Sequence, residues 1–255
     1  AFAISTIACI ALMPLLIRYA GVLGMLDKPD NRKIHDQVIP RCGGIGIAFG
    51  AFLAILMLIK GEYHCYALVI GGMIIVIFGL TDDILNLHYR WKFLGQFLAT
   101  FVVMSQGIFI RELPFSGLND APLWLSYPIT FFFIIGVTNA VNLADGLDGL
   151  AAGVMLLTLS FIVVFSVLSG SMDIAIIGLA IIGGLIGFLK FNTYPALVFM
   201  GDLGSQLVGF MAVNLSILLT QDAHQAMNPA LPLLILGLPI LDTLSVMILR
   251  LKAGL

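Results

Sequence analysis

Apolar runs approaching the thickness of a lipid bilayer recur along this chain, and no other feature constrains its fold as strongly. A membrane span needs about 20 apolar residues. Nine runs come near that length, over 2–26, 43–59, 66–81, 91–110, 123–141, 147–168, 174–191, 204–220 and 229–250. A mean hydropathy of +1.10 belongs to the same class. Backbone polar groups have no partner in lipid, so each run is expected to be a helix. The apolar residues run continuously rather than alternating, which argues against a β-barrel. The expected fold is all-α, a polytopic transmembrane helix bundle of about nine spans in a single integral membrane domain over residues 1–255.

Within that bundle, Gly24, Gly50, Gly79, Gly136, Gly187 and Gly209 are expected to permit close helix packing. Cys9, Cys42 and Cys65 are odd in number and widely separated, with no C-x-x-C pair. They indicate neither a disulfide framework nor a thiolate metal site. The first run has no basic leader or small-residue cleavage pattern, so it reads as a span rather than a signal peptide.

Basic residues orient the bundle. With nine spans, loops 27–42, 82–90, 142–146 and 192–203 and the C-terminal end share one side. Lys28, Arg32, Lys33, Arg41, Arg90, Lys92, Lys190, Arg250 and Lys252 lie there, against Lys60 and Arg111 opposite. This asymmetry makes the first side cytoplasmic. Glu62, Glu112, Asp120, Asp173 and Asp222 are scattered singly over the outer loops, where solvation explains them.

The cytoplasmic acids are grouped instead. Three span ends carry "FGLTDDILN" with Asp82 and Asp83, "NAVNLADGLDGLAAG" with Asp145 and Asp148, and "FMGDLGS" with Asp202. Solvated loops or helix caps explain any one of them. Together, the three are expected to surround one cleft, where like carboxylates repel unless a cation or proton joins them. Oxygen donors without a His or Cys cluster favour Mg²⁺, or Mn²⁺, over zinc.

In the second motif Asn139, Asn142, Asp145 and Asp148 recur every three residues, which one continuous helix does not hold on one face. Gly146 and Gly149 predict a break, with one helix ending near Asn142 and another starting near Leu147. The simpler alternative is capping by Asp and Asn. "DKPDNRKIHDQVIPRCGG" offers Arg32, Lys33, His35 and Arg41 to phosphates, or else to anionic lipid head groups. Phe199 precedes Asp202 by three residues, at a spacing that places an aromatic face beside a carboxylate. Asp242, deeper in the last run, is expected to face the bundle or a polar cavity.

In this order, "DKPDNRKIH…PRCGG", "GLTDD", "NAVNLADGLDGLAAG", "FNTYPALVFMGDLGSQ" and "PILDT" resemble the polyprenyl-phosphate N-acetylhexosamine-1-phosphate transferases, of the undecaprenyl-phosphate GlcNAc-1-phosphate type in glycosyltransferase family 4. The resemblance spans essentially the whole chain. It implies a Mg-dependent transfer of N-acetylhexosamine 1-phosphate, GlcNAc 1-phosphate in particular, from a UDP-N-acetylhexosamine to undecaprenyl phosphate, releasing UMP. Such enzymes initiate O-antigen and other cell-envelope polysaccharides. It further implies a bacterial inner membrane location, with the active site facing the cytoplasm, membrane lipids as surroundings and no nucleic acid partner; a homodimer is left open. By the same resemblance Asp202 and Asn142 are metal ligands, and Asp82 and Asp83 serve at the acceptor phosphate. Asp145, Asp148 and Phe199 help hold the UDP moiety, Asp145 and Asp148 counting with the catalytic acids. Asn139 and the basic residues Arg32, Lys33, His35 and Arg41 then contact substrate.

Two positions depart from the family pattern. Asn86 stands where many members carry a third acid, and the chain stops at "RLKAGL", before the His-rich loop those members carry. A longer protein of ten or more spans is therefore expected. The competing expectations are a phospho-N-acetylmuramoyl-pentapeptide transferase and, from another class, a divalent-cation transporter.

Overall fold

A computed structural model describes residues 1–27, 38–59, 63–114, 121–221 and 227–253. Ten helices follow the apolar runs: α1 (Phe2–Tyr19), α2 (Gly43–Leu58), α3 (Tyr63–Leu85), α4 (Tyr89–Ser105), α5 (Leu123–Ala144), α6 (Leu150–Leu168), α7 (Met172–Asn192), α8 (Gly201–Gln221), α9 (Leu231–Ile235) and α10 (Gly237–Ala253). The all-α polytopic expectation holds. Among the described residues the only sheet is a ribbon of β1 (Leu26–Asp27) and β2 (Ile39–Pro40), antiparallel with Leu26 opposite Pro40.

Among the described residues the number of spans is lower than nine. Six helices (α1, α3, α5, α6, α7 and α8) are long and apolar enough to cross a membrane. The 16 residues of α2 and the 17 of α4 are shorter, and at 1.5 Å per residue they reach only about 24–26 Å. The run at 229–250 is broken at Leu236 into α9 and α10. Pro239 accounts for the break, because it cannot donate to the carbonyl four residues earlier.

The core centres on α8, nearly all of which is buried. It packs against α2, α3, α5 and α6, while α1, α2 and α7 form a second packet. Two buried polar side chains on α8 turn back to their own helix: Asn214 Nδ2 donates to the Phe210 carbonyl at 2.7 Å, and Thr220 Oγ1 to that of Ser216 at 2.9 Å. That arrangement answers the cost of an unpaired polar group in an apolar interior.

Small residues set the close approaches. A Cβ on Gly79 would lie 2.6 Å from Leu203 Cα, and one on Gly44 2.4 Å from the Gly204 nitrogen. Both contacts pin the start of α8 against α3 and α2. Gly50, Gly187 and Gly209 are likewise in close contact, as expected. Gly136 meets nothing within 4 Å, and Gly24 serves a turn at φ +73°. Neither of those two is a packing glycine.

Helices α2 to α8 alternate in direction, which gathers seven helix ends at one end of the bundle. Asp83, Lys92, Asn142 and Asp202 lie at that end. Asp242 does not face the interior as expected. It is exposed on α10, where only Pro239 near the helix start is buried, and which packs mainly against α5 and α9.

Candidate active site at one end of the bundle

The start of α8 is held by an acid from another helix. Asp83 Oδ1 accepts from the Asp202 backbone N–H at 2.9 Å, and Oδ2 from that of Leu203 at 3.1 Å. Free N–H groups at a helix N-terminus favour a carboxylate, so Asp83, at the end of α3, caps α8 from outside. Gly201 makes this approach practicable: a Cβ there would stand 2.8 Å from Asp83 Oδ2, and its φ of +74° suits glycine.

With its backbone capped by Asp83, the Asp202 side chain is free for other partners. Asn142 Nδ2 donates to Asp202 Oδ1 at 2.9 Å and to Ser205 Oγ at 2.8 Å. Lys92, on the first turn of α4, donates to Asp202 Oδ2 and lies 2.6 Å from Asp82 Oδ2. One ammonium thus joins two carboxylates from α3 and α8, with the Asn142 amide alongside. Removing it would leave like charges facing each other in a half-buried setting.

One turn deeper, Asn139 does not open toward a cavity. It exchanges hydrogen bonds with Gln96, Nδ2 to Oε1 at 2.8 Å and Nε2 to Oδ1 at 3.3 Å. Gln96 Nε2 also donates to Gln206 Oε1 at 3.0 Å.

The expected break between α5 and α6 is present, with α5 ending at Ala144 and α6 starting at Leu150. Gly149 takes φ +72° there. Simple capping does not account for the motif's polar residues. Asp148 Oδ2 accepts from the Ala196 N–H at 3.0 Å. Asn192 Oδ1 accepts from the Gly149 N–H at 2.9 Å, and its Nδ2 donates to the Val198 carbonyl at 2.8 Å. These bonds tie the α5–α6 turn to the 193–200 segment. Phe199 is fixed by its backbone, donating to the Pro40 carbonyl at 2.8 Å and accepting from the Gly43 N–H at 2.9 Å. Burial, then the charges of Asp202 and Asp83, pushes the Asp145 carboxyl up to about 7.

A cavity of about 640 Å³ opens among these groups. Of the residues singled out from sequence, Arg41, Asp83, Asn142, Asp145, Asp148, Phe199 and Asp202 line it. Asp82 and Asn139 lie outside that lining, bonded to Lys92 and Gln96. Arg32, Lys33 and His35 fall outside the described residues. Arg41 Nε lies 3.5 Å from Asp27 Oδ1, so part of its charge is directed into the ribbon. Lys92, Gln96, Ser205, Asn192 and Gln206 are the contributors the motifs did not single out. Lys92 and Gln96 are spaced by four on α4, which puts both on one face.

Among the described residues, no three His, Cys, Asp or Glu side chains converge tightly enough to hold a metal unaided. The oxygens offered to a cation are those of the Asp202 carboxylate beside a cavity open to further oxygens, while Asn142 faces Asp202 and Ser205 with its Nδ2 and would turn to present its oxygen. Ions that retain water and take phosphate oxygens suit such a set. The Lys92 ammonium between Asp82 and Asp202 marks that space as favourable to positive charge.

Residues 65–220 match the family model described as glycosyl transferase family 4. Over 253 residues the chain is 37% identical to a probable undecaprenyl-phosphate N-acetylglucosaminyl 1-phosphate transferase of Bacillus subtilis, covering 98% of this chain and 71% of that protein. It is 32% identical to a phospho-N-acetylmuramoyl-pentapeptide-transferase of Caldicellulosiruptor bescii, covering 97% and 80%. A decaprenyl-phosphate N-acetylglucosaminephosphotransferase of Mycobacterium leprae is 30% identical, with 97% and 73% covered.

Proposed function

The chain belongs to glycosyl transferase family 4, and from that premise we propose that this multi-pass membrane transferase moves N-acetylhexosamine 1-phosphate, specifically GlcNAc 1-phosphate, from a UDP-sugar to undecaprenyl phosphate. An oxygen of the acceptor phosphate bonds to the sugar-bearing phosphorus of the donor. The bridge between the donor's two phosphorus atoms breaks, and UMP departs. The lipid product is undecaprenyl-diphospho-sugar, the first membrane-bound intermediate of an envelope polysaccharide. The reaction takes place at the cytoplasmic face of a bacterial inner membrane.

The observation that carries this reading is the meeting of Asp82, Lys92, Asn142 and Asp202 from four helices beside one cavity at an end of the bundle. Phosphoryl transfer depends mainly on in-line positioning and neutralisation of spreading negative charge. Asp202, with Asn142 alongside, would hold a Mg²⁺, which supplies charge neutralisation at the diphosphate. Asn142 also orients the Asp202 carboxylate. Lys92 contributes a second positive charge and holds Asp82 in place at the acceptor phosphate. Asp83 fixes the α8 start, so that the Asp202 carboxylate points at the cavity. Asp148, Asn192 and Phe199 form the wall on which the uridine portion rests, with Asp145 between base and phosphates. Arg41, with Arg32, Lys33 and His35, meets the phosphates and sugar.

The relative from Caldicellulosiruptor bescii supports a second reading, in which the donor carries N-acetylmuramoyl-pentapeptide. A cation transporter is disfavoured, because transport sites sit near the bilayer midplane and these acids occupy helix ends. The test is to incubate the purified protein in liposomes with radiolabelled UDP-GlcNAc or UDP-N-acetylmuramoyl-pentapeptide, undecaprenyl phosphate and Mg²⁺. The expected result is a GlcNAc-labelled lipid and one UMP per lipid formed. Ion flux without any lipid-linked sugar would overturn the proposal.

A further inference from the structure

We infer that Gln96 is a positioning residue that sets the register of α4, α5 and α8, and through them places the Lys92, Asn142 and Asp202 groups; this rests on the transferase reading above. The three functional groups stand on three different helices, so their mutual distances depend on how those helices cross. Gln96 lies four residues after Lys92 on α4. Asn139 lies three before Asn142 on α5, and Gln206 four after Asp202 on α8. Each is therefore about one turn from the group it supports, on the same helix face. The Gln96 amide uses its carbonyl and its nitrogen together: it pairs reciprocally with Asn139 and donates to Gln206. Gln96 is 2% exposed and Gln206 4%. Water cannot substitute freely for a lost partner in such a setting, and a partly broken buried network costs more than an apolar one. The planar amides also fix spacing: sliding α4 along α5 by a fraction of a turn breaks both reciprocal bonds at once. The lower layer thus does mechanically what the upper one needs electrostatically.

The test uses the intact protein in liposomes with Cys9→Ala, Cys42→Ala and Cys65→Ala. Spin labels at Tyr89→Cys and Leu143→Cys, both exposed at the site end of α4 and α5, report the spacing of the two helices. UMP release and thermal melting are measured in the same preparations. Gln96→Leu is expected to shift or broaden the label distance and lower turnover about 10-fold or more, since small displacements at a reacting centre carry penalties of that order. Gln96→Asn alone should behave similarly. The exchange Gln96→Asn with Asn139→Gln keeps the combined reach of the pair and should recover most of both readouts. Thr100→Val, one turn further along α4 and equally buried, should leave distance and turnover at the parent values. A Gln96→Leu protein with unchanged distance and turnover, lower only in melting temperature, would overturn the inference. If the parent itself makes no lipid-linked sugar, the transferase reading fails separately. The label distance then decides the register claim, an unchanged value overturning it and a shifted one supporting it.

Discussion

Helices α8 and α10 each begin with glycine, carry one aspartate near the start and are otherwise largely apolar, yet they treat that acid in opposite ways. On α8 nearly every residue is buried, and Asp202 meets an amide, an ammonium and, through its backbone, a second carboxylate. On α10 only Pro239 is buried, and Asp242 sits on an exposed face. An acid in an apolar segment becomes a site only where neighbouring helices bring donors and counter-charge to it. The hydropathy of the segment does not decide the matter.

The largest effect should come from Asp202→Asn, which keeps the shape of the side chain and removes its charge. Turnover should fall about 100-fold or more, the usual scale for a lost electrostatic stabiliser, measured as initial UMP release in a protein whose melting is unchanged. Asp82→Asn should lie close to it, with the rate partly regained at higher pH if Asp82 assists ionisation of the acceptor.

Lys92→Met comes next. It leaves Asp82 and Asp202 facing one another without the ammonium between them, and turnover should drop on the order of 10- to 100-fold. Added Mg²⁺ should recover part of that loss, because both neutralise the same charges. A Lys92→Met enzyme with parental rate at every Mg²⁺ concentration would detach α4 from the site.

A smaller effect, read in stability rather than rate, concerns Asp145. Its carboxyl is raised to about 7 from the usual 3.8, chiefly by burial. Between these values the folded chain binds more protons than the unfolded chain, so ionisation opposes folding and stability declines as pH rises through that window. In metal-free buffer, Asp145→Asn should therefore melt above the parent at pH 8, and the advantage should vanish near pH 4. An advantage that grew toward low pH would contradict the environment described.

Asp242→Asn should change least, within about 0.5 kcal/mol in stability and with parental turnover, as for other exposed positions. A loss comparable to that of Asp202→Asn would erase the contrast between the two helices.

The positions of most helices were legible because their apolar runs are long and their breaks are chemically marked, as at Gly146 and Gly149. The break at Leu236 was missed, since the run 229–250 reads as continuous even though Pro239 withholds a backbone donor. Within the site, Asp83, Asn142 and Asp202 were recognisable as acids and amides at span ends. Lys92 registered only as a charge that orients the bundle. Its partner Asp202 lies 110 residues away, and no periodicity connects α4 to the start of α8. Asn139 was expected at the substrate for the same reason in reverse: residues spaced by three look equivalent until the neighbouring helix supplies Gln96. The outward face of Asp242 depends on which helices α10 meets, which residue patterns along α10 do not encode.

The central claim is that the start of α8 is where a divalent cation and the donor diphosphate are held. The most direct measurement is a Mn²⁺ titration of the liposome-reconstituted protein, followed by electron paramagnetic resonance with UDP-GlcNAc present, for the parent, Asp202→Asn and Asp242→Asn. The account predicts one donor-dependent Mn²⁺ per chain in the parent and in Asp242→Asn, and binding about 10-fold or more weaker in Asp202→Asn. Equal Mn²⁺ affinity in all three proteins would contradict it.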